Sequence, residues 1–579
     1  MRPRETALRG MQGVRTRTAH ALSVTRRRPT GYRCAAMTYR KLLLAALLLT
    51  CLCAPAAQAA PDQVSIVMDD DQLLYRGDRT MSRTLVTARS LGAEAVRVTV
   101  LWRVVGEGAA LSNKEIERLK TDTLRDKARA QRKRFKPADP RTYPTRNWDR
   151  FDNLVKTATG LGMRVYFTVT GPGPSYAHHI APPSQRANAG TFKPYPSRYR
   201  SFVQAVGARY SGTHKDENGI RKVLPRVSLW SLWNEPNQPG WLSPQWENGV
   251  PASPALYREL YAAGYQGLTL SGHGDDAILF GETSPLGSPK TGARNGIRPV
   301  PFLREVACVD PSGAPYAGPA ATARHCEDFA RIGPLKATAY AHHPYTMKGA
   351  PSIKPAVPDE ITMGNIDTLG PLLDTISAQS GGMIPTGLPI LLTEFGYESN
   401  PPDTRNGIPL LRQAQFNQLA EFIAYKDPRV LGTTQFLIRD AAPLTQYPKG
   451  SRLYWFTYQS GLYNLKGRAK PAAFAYTFPL VIYNPGIEGM SAFWGQLRFR
   501  PNGSTDNVVV FWREKPANAP KEPCGPGNGW TEIVSAGPTT YRGYFEGTFP
   551  TPGPGGYYCA VFLDTAQDKI THRSLTVSP

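Results

Sequence analysis

From residue 64 to residue 476 the chain alternates two kinds of hydrophobic pattern. Short apolar runs at 64–71, 95–102, 163–170, 226–233, 277–285, 337–345, 388–394 and 430–440 have the length and composition of strands buried in a sheet. Stretches at 80–91, 148–160, 197–210 and 470–476 read as helices standing between or after them. Beyond about residue 480 the pattern changes. Runs at 508–512, 530–534, 541–545, 556–562 and 574–577 are short and divided by Gly/Pro turns, which predicts an all-β sandwich.

Several of the apolar runs end on an acid. The run at 226–233 leads into Trp233-Asn234-Glu235-Pro236. Proline cannot donate to a ladder and restricts the residue before it, so Glu235 is expected where the backbone leaves the sheet. Beside Trp230 and Trp233 its carboxylate is partly shielded from water, which disfavours the charged form and suits a general acid. Most isolated strand-end glutamates are simply solvated; the surrounding Trp-Asn-Glu-Pro argues against that here. A second run, 388–394, ends on Glu394, 159 positions later. A third, 277–285, carries Glu282.

The pair Trp233-Asn234-Glu235-Pro236 and Leu391-Leu392-Thr393-Glu394-Phe395-Gly396 resembles the acid/base and nucleophile strands of clan A glycoside hydrolases, of which families 5 and 39 are members. The resemblance implies a (β/α)8 TIM barrel, an α/β fold, with Glu235 on strand four as acid/base and Glu394 on strand seven as nucleophile. It implies that Arg97 on strand two hydrogen-bonds the nucleophile, that Asn234 holds the sugar 2-hydroxyl, and that His343 and Tyr345 flank the nucleophile. Glu282 is expected to bind substrate or fix a neighbour. Many clan members carry a Trp on strand eight that stacks on the sugar. This chain has Gln435, Phe436 and Asp440 there, so Trp455 is the candidate stacking surface, with Trp102 and Asp440 among the supporting residues.

Composition adds the compartment. The chain of 579 residues has a formal net charge of +24, but residues 1–41 hold eleven Lys/Arg and one Glu. Met37 to Lys41, the apolar run 42–53 and Ala57-Gln58-Ala59 read as a secretory signal peptide, with Met37 the expected start. The expected domains are 1–59 as extension and signal peptide, 60–479 as catalytic barrel and 480–579 as accessory β domain. After export four cysteines remain, Cys308, Cys326, Cys524 and Cys559; proximity favours Cys308–Cys326 and Cys524–Cys559 among three pairings.

Residues 112–150 insert thirteen Lys/Arg and six Asp/Glu after the second strand, with 114–134 expected to be helical. A solvated charged helix is the plainer reading; a basic wall for an acidic glycan is the functional one. No nucleic-acid recognition motif accompanies the charge. Adjacent His342 and His343 point to opposite faces of a strand, which argues against a zinc site. The reading is therefore a secreted, monomeric, retaining glycosidase acting on a carbohydrate substrate, with no cofactor, no metal, no nucleic-acid partner and no stable membrane insertion. A transglycosylase using the same residues and a non-catalytic glycan-binding barrel are the alternatives.

Overall fold

The computed structural model describes residues 62–219, 222–499, 507–514, 523–527, 529–536, 542–564 and 569–579. The expected signal peptide and cleavage site lie outside the described residues. Eight parallel strands close a barrel: β1 (Val64–Met68), β2 (Ala95–Leu101), β3 (Arg164–Thr170), β4 (Leu229–Leu232), β5 (Ala277–Thr283), β6 (Ala339–His342), β7 (Ile390–Phe395) and β8 (Val430–Phe436), with β8 pairing back onto β1. Each strand is followed by a helix that packs outside: α1 (Asp78–Ser90), α2 (Asp149–Gly160), α3 (Pro196–Arg209), α4 (Ser253–Leu270), α5 (Pro299–Val306), α6 (Leu369–Gln379), α7 (Leu410–Lys426) and α8 (Pro471–Thr477).

The period of two along each strand sorts side chains into two layers. One set, including Val67, Val96, Val98, Phe167, Trp230, Phe280, Ile390 and Leu392, packs outward against the helices. The alternate set, Ile66, Ala95, Tyr166, Leu279, Ala341 and Leu391, fills the barrel interior as an apolar plug. Two residues further along the same strands the inward positions become Met68, Arg97, Thr168, Ser231, His343 and Thr393, all buried, so a mostly polar layer sits on the plug at the carboxyl end. Glu282 enters this layer through an irregularity: the β5–β6 register shifts between Gly281 and Thr283. Gly281 has φ +113°, and a Cβ there would lie 2.6 Å from the Ala341 carbonyl and from the Tyr340 ring, so only glycine fits the shift.

The later residues form two antiparallel sheets. β9 (Leu480–Tyr483), β10 (Met490–Gln496) and β13 (Tyr544–Pro550) make one; β11 (Asn507–Glu514), β12 (Thr531–Ser535), β14 (Gly556–Asp564) and β15 (Lys569–Arg573) make the other. Leu480, Ile482, Phe493, Val508, Val510, Phe545, Ala560 and Phe562 form the core between them. The last strand differs from expectation: residues 569–573 pair with β14, while 574–577 form no strand and add the Ser574–Ala560 bonds and a bridge from Val577 to Tyr558. Both expected disulfides are present, Cys308–Cys326 and Cys524–Cys559.

The basic insertion is two helices, Asn113–Glu117 and Asp122–Arg134, rather than one. The first carries a Ser112/Glu115 capping box, and Thr121 caps the second. The second has no buried residue. No helix among the described residues is long and apolar enough to cross a membrane.

Candidate active site

The barrel brings seven of the expected residues together. Arg97 is completely buried and donates from Nη1 to Glu394 Oε1 (2.8 Å), and from Nη2 to Asn234 Oδ1 (2.9 Å) and Glu282 Oε2 (3.0 Å). Tyr345 donates its hydroxyl to Glu394 Oε2 (3.0 Å). The His343 ring bridges Glu235 Oε1 through Nδ1 (3.0 Å) and Glu282 Oε2 through Nε2 (2.7 Å). The same Nδ1 lies 3.7 Å from Glu394 Oε2. Glu235 and Glu394 thus face each other across one imidazole, no further apart than the sum of its two distances to them. Their side chains keep 19% and 12% of their exposure, whereas Glu282 has none.

The backbone is bent to achieve this. Trp233, Glu235 and Glu282 have φ of 74°, 39° and 51°, all in the left-handed region that non-glycine residues avoid. The Glu235 N–H donates to the Glu282 carbonyl (2.9 Å) and the Asn234 N–H to Thr170 Oγ1 (3.0 Å), so the turn is held by its neighbours on either side. Such strain persists only where the surroundings over-determine it, and it gathers at functional sites.

Glu282 works below the open face. Its oxygens accept from Tyr166, Ser231, Thr168, Thr393, Arg97 and His343. Burial alone would raise its pKa; Arg97 and His343 outweigh it and hold the carboxyl well below the usual range. Burial would likewise lower the His343 pKa, but Glu394, Glu235 and Glu282 together lift it to about 10, so the ring is an imidazolium at neutral pH. Of the two expectations for Glu282, its complete burial and its bonds to Arg97 and His343 fit the fixing of a neighbour. His342 faces the other way, onto Thr283 and the Ile361 carbonyl, and burial lowers its pKa to about 3. The two histidines share no ligand site.

Three expected residues lie elsewhere. Trp102 opens a short helix after β2 and stacks on Phe202 in the core, 1% exposed. Asp440 is buried in an ion pair with Lys470 (2.8 Å) and accepts from the Gly461 N–H, which makes it a structural link between loops. Trp455 is buried edge-on against Tyr454, so it offers no face to a sugar. Tyr458, in the same loop, is 50% exposed, set edge-on to Phe436 and within electrostatic reach of Glu235 and Glu394. Only its place in the loop after β8 could have signalled it, and Trp455 is the stronger stacking residue on composition.

The loops after β5 and β6 enclose a hollow of about 190 Å³ beside Tyr345, lined by Leu286, Met347, Ile353 and Lys354. Gln238, three residues past Glu235, holds the Leu286 carbonyl (2.7 Å) and so ties this hollow to the Glu235 turn. A larger one of about 710 Å³ lies on the outer flank of α3 and α4, away from the paired carboxylates.

No protein-family model and no curated protein sequence matches the chain. Solved structures similar to it include a monomeric β-xylosidase from Caulobacter crescentus CB15 (13% identity over 86% of this chain and 98% of that one, TM-score 0.43). A family 39 enzyme from Xanthomonas axonopodis pv. citri has 15% identity over 86% and 96%, TM-score 0.42. A family 5 subfamily 18 protein from Streptomyces cattleya has 15% identity over 72% and 79%, TM-score 0.41. At these values the fold stands on the barrel topology itself.

Proposed function

We propose that the protein is an exported glycosidase that hydrolyses a carbohydrate with retention of configuration, the barrel at 60–479 being catalytic and 480–579 an accessory domain. The observation that carries this is the pair Glu235 and Glu394, at strand ends four and seven, both held within 4 Å of the same His343 nitrogen. A retaining site needs its carboxyls about 5–5.5 Å apart, against roughly 6.5–9.5 Å for an inverting one. Distances of 3.0 and 3.7 Å to one nitrogen keep the facing oxygens out of all but the lowest end of the inverting range.

In the first step a Glu394 oxygen attacks the anomeric carbon while Glu235 gives its proton to the departing glycosidic oxygen. The products are a glycosyl ester of Glu394 and the free leaving group. In the second step Glu235, now a carboxylate, takes a proton from water; the water oxygen displaces Glu394 and the carboxylate is regenerated. Arg97 and Tyr345 donate to the nucleophile and orient it. Asn234, anchored by Arg97, is placed beside Glu235 to hold the sugar 2-hydroxyl. The His343 cation lies 3.0 Å from Glu235 and stabilises the carboxylate that forms there once the proton has left. No step calls for a cofactor.

A 2-fluoro glycoside inactivator tests this, because it stops the reaction at the ester. Peptide mapping is expected to find the label on Glu394 and none on the Glu394→Ala variant. Label on another carboxylate, or inverted product by NMR, overturns the mechanism.

A further inference from the structure

Three consecutive acids, Asp69, Asp70 and Asp71, follow β1 at the same end of the barrel, and two are accounted for by structure. Asp69 is buried and accepts from the N–H groups of Gln72 and Arg439, which pins the loop after β8 to β1. Asp71 pairs with Arg76 at the surface (2.9 Å). Asp70 does neither. Its Oδ1 accepts from the Thr99 N–H (3.1 Å), the Thr99 side chain also bonds the carboxylate, and among the described residues no cationic donor is bonded to it. The residue is only partly buried.

The register places it. Met68 pairs with Arg97 across β1 and β2, so Asp70 stands beside Thr99, one step above the layer from which Arg97 reaches Glu394. Its charge is felt by both Arg97 and Glu394. β1 also neighbours β8, and Met68 packs with Phe436, against which Tyr458 is set. Asp70 therefore belongs to the wall formed by β8, β1 and β2, across the barrel from Glu235 on β4. The acid protonates the leaving group, so the leaving group lies toward β4 to β6, where the hollow of about 190 Å³ is found. The sugar that becomes attached to Glu394 then lies against β8, β1 and β2.

We propose, building on the glycosidase reading, that Asp70 is a specificity-determining residue for that sugar: its carboxylate, held by Thr99 and carrying no cationic partner, accepts from one ring hydroxyl of a neutral glycone and repels a sugar carboxylate. A uronic acid would bring a third carboxylate beside Asp70 and Glu394 in a poorly solvated site, which costs more than any hydrogen bond it could form there. The basic insertion at 112–150 acts, on this view, on the rest of an acidic polymer and not on the sugar being cleaved.

The test uses the full secreted chain, an aryl glycoside that it cleaves, the monodeoxy analogues of that sugar and the matching aryl glycuronide. Removing the one hydroxyl that Asp70 holds is expected to lower kcat/KM of the wild type roughly 10- to 100-fold, the size of a hydrogen bond to a charged group. Asp70→Ala is expected to lose a similar factor on the parent glycoside and little more on that deoxy analogue. Asp70→Asn retains an acceptor for Thr99 and is expected to raise the glycuronide-to-glycoside ratio at least tenfold. Asp71→Asn is the neighbouring control and changes neither. Additive losses on every deoxy analogue, or an unchanged glycuronide ratio in Asp70→Asn with its melting temperature intact, overturn the role of Asp70 and leave the hydrolase standing. A wild type that turns over none of the glycosides overturns the glycosidase reading and this one with it.

Discussion

Two of the arginine–carboxylate clusters buried among the described residues are built to opposite ends. On the outer shell Arg209, at the end of α3, donates to both oxygens of Asp152 and both oxygens of Glu217, and Tyr210 adds a bond to Asp152. Asp216 beside them is taken by Lys156. The charges there close on one another. In the barrel, Arg97 and His343 satisfy Glu282 completely but leave Glu235 and Glu394 partly open to the mouth. A buried ion pair is weak evidence of stability gained, since desolvation offsets much of the attraction. What separates the two clusters is how the less buried carboxylates are held: Glu217, though 34% exposed, gives both oxygens to Arg209, whereas Arg97 takes one oxygen of Glu394 and, among the described residues, no arginine donates to Glu235.

The largest expected effect breaks this comparison through chemistry. Glu394→Ala is expected to cost on the order of 10⁵- to 10⁶-fold in kcat, the scale of losing a covalent nucleophile. Glu235→Ala is expected to cost about 10²- to 10⁴-fold on poor leaving groups. It should spare glycosylation by good ones, with azide restoring turnover and giving a glycosyl azide of unchanged anomeric configuration. Glu217→Ala is expected to leave kcat untouched. Stopped assays on the three purified variants decide it.

The second effect concerns stability. Arg97→Ala strands Glu282, and Arg209→Ala strands Asp152; each is expected to cost about 3–5 kcal/mol of unfolding free energy in denaturant titrations. Only the Arg97 variant should lose kcat per folded molecule, because only Arg97 orients a reacting group.

The third is a pH dependence. The folded pKa of His343, about 10, stands above the ordinary 6.5. The stabilisation linked to its proton is therefore complete below about pH 6.5 and lost as pH rises toward 10. The unfolding free-energy gap between wild type and His343→Gln should shrink over that window; a gap that widened with pH would contradict the imidazolium.

The smallest effect lies on the surface. Lys133 and Arg134 are exposed on the inserted helix, and Glu115 before it hydrogen-bonds Ser175 in the loop after β3. If the insertion steers an acidic polymer, Lys133→Glu with Arg134→Glu is expected to raise KM a few-fold at low salt. The difference should vanish as the Debye length falls below about 8–10 Å.

Much of the barrel was legible because parallel strands buried on both faces leave apolar runs that few other structures produce. The turn at Glu235 announced itself through Pro236, whereas Arg97 came with the clan resemblance. Single aromatic residues were less readable. Trp102 and Trp455 sit near strand ends in sequence, but whether a ring faces the cleft or the core depends on Phe202 and Tyr454, which arrive from other parts of the fold. The part played by Glu282 needed the shift at Gly281, which no local periodicity encodes. Asp70 was hidden by its neighbours, since three acids in a row look alike until Thr99 and Arg439 select among them.

The β sandwich meets the barrel at the far end from the chemistry. Arg498 donates to Ser65 at the start of β1 and pairs with Glu421 on α7; Arg542 pairs with Glu94, just before β2; Tyr544 lies against Tyr425 near the end of α7. These contacts cap the amino-terminal rim of the strands, while the carboxylates crown the other. The sandwich is therefore a pedestal. Coupling the protein to a bead through Lys569, exposed on β15, should hold it with the Glu235–Glu394 face turned away from the support, free to engage a polymer too large to slip underneath.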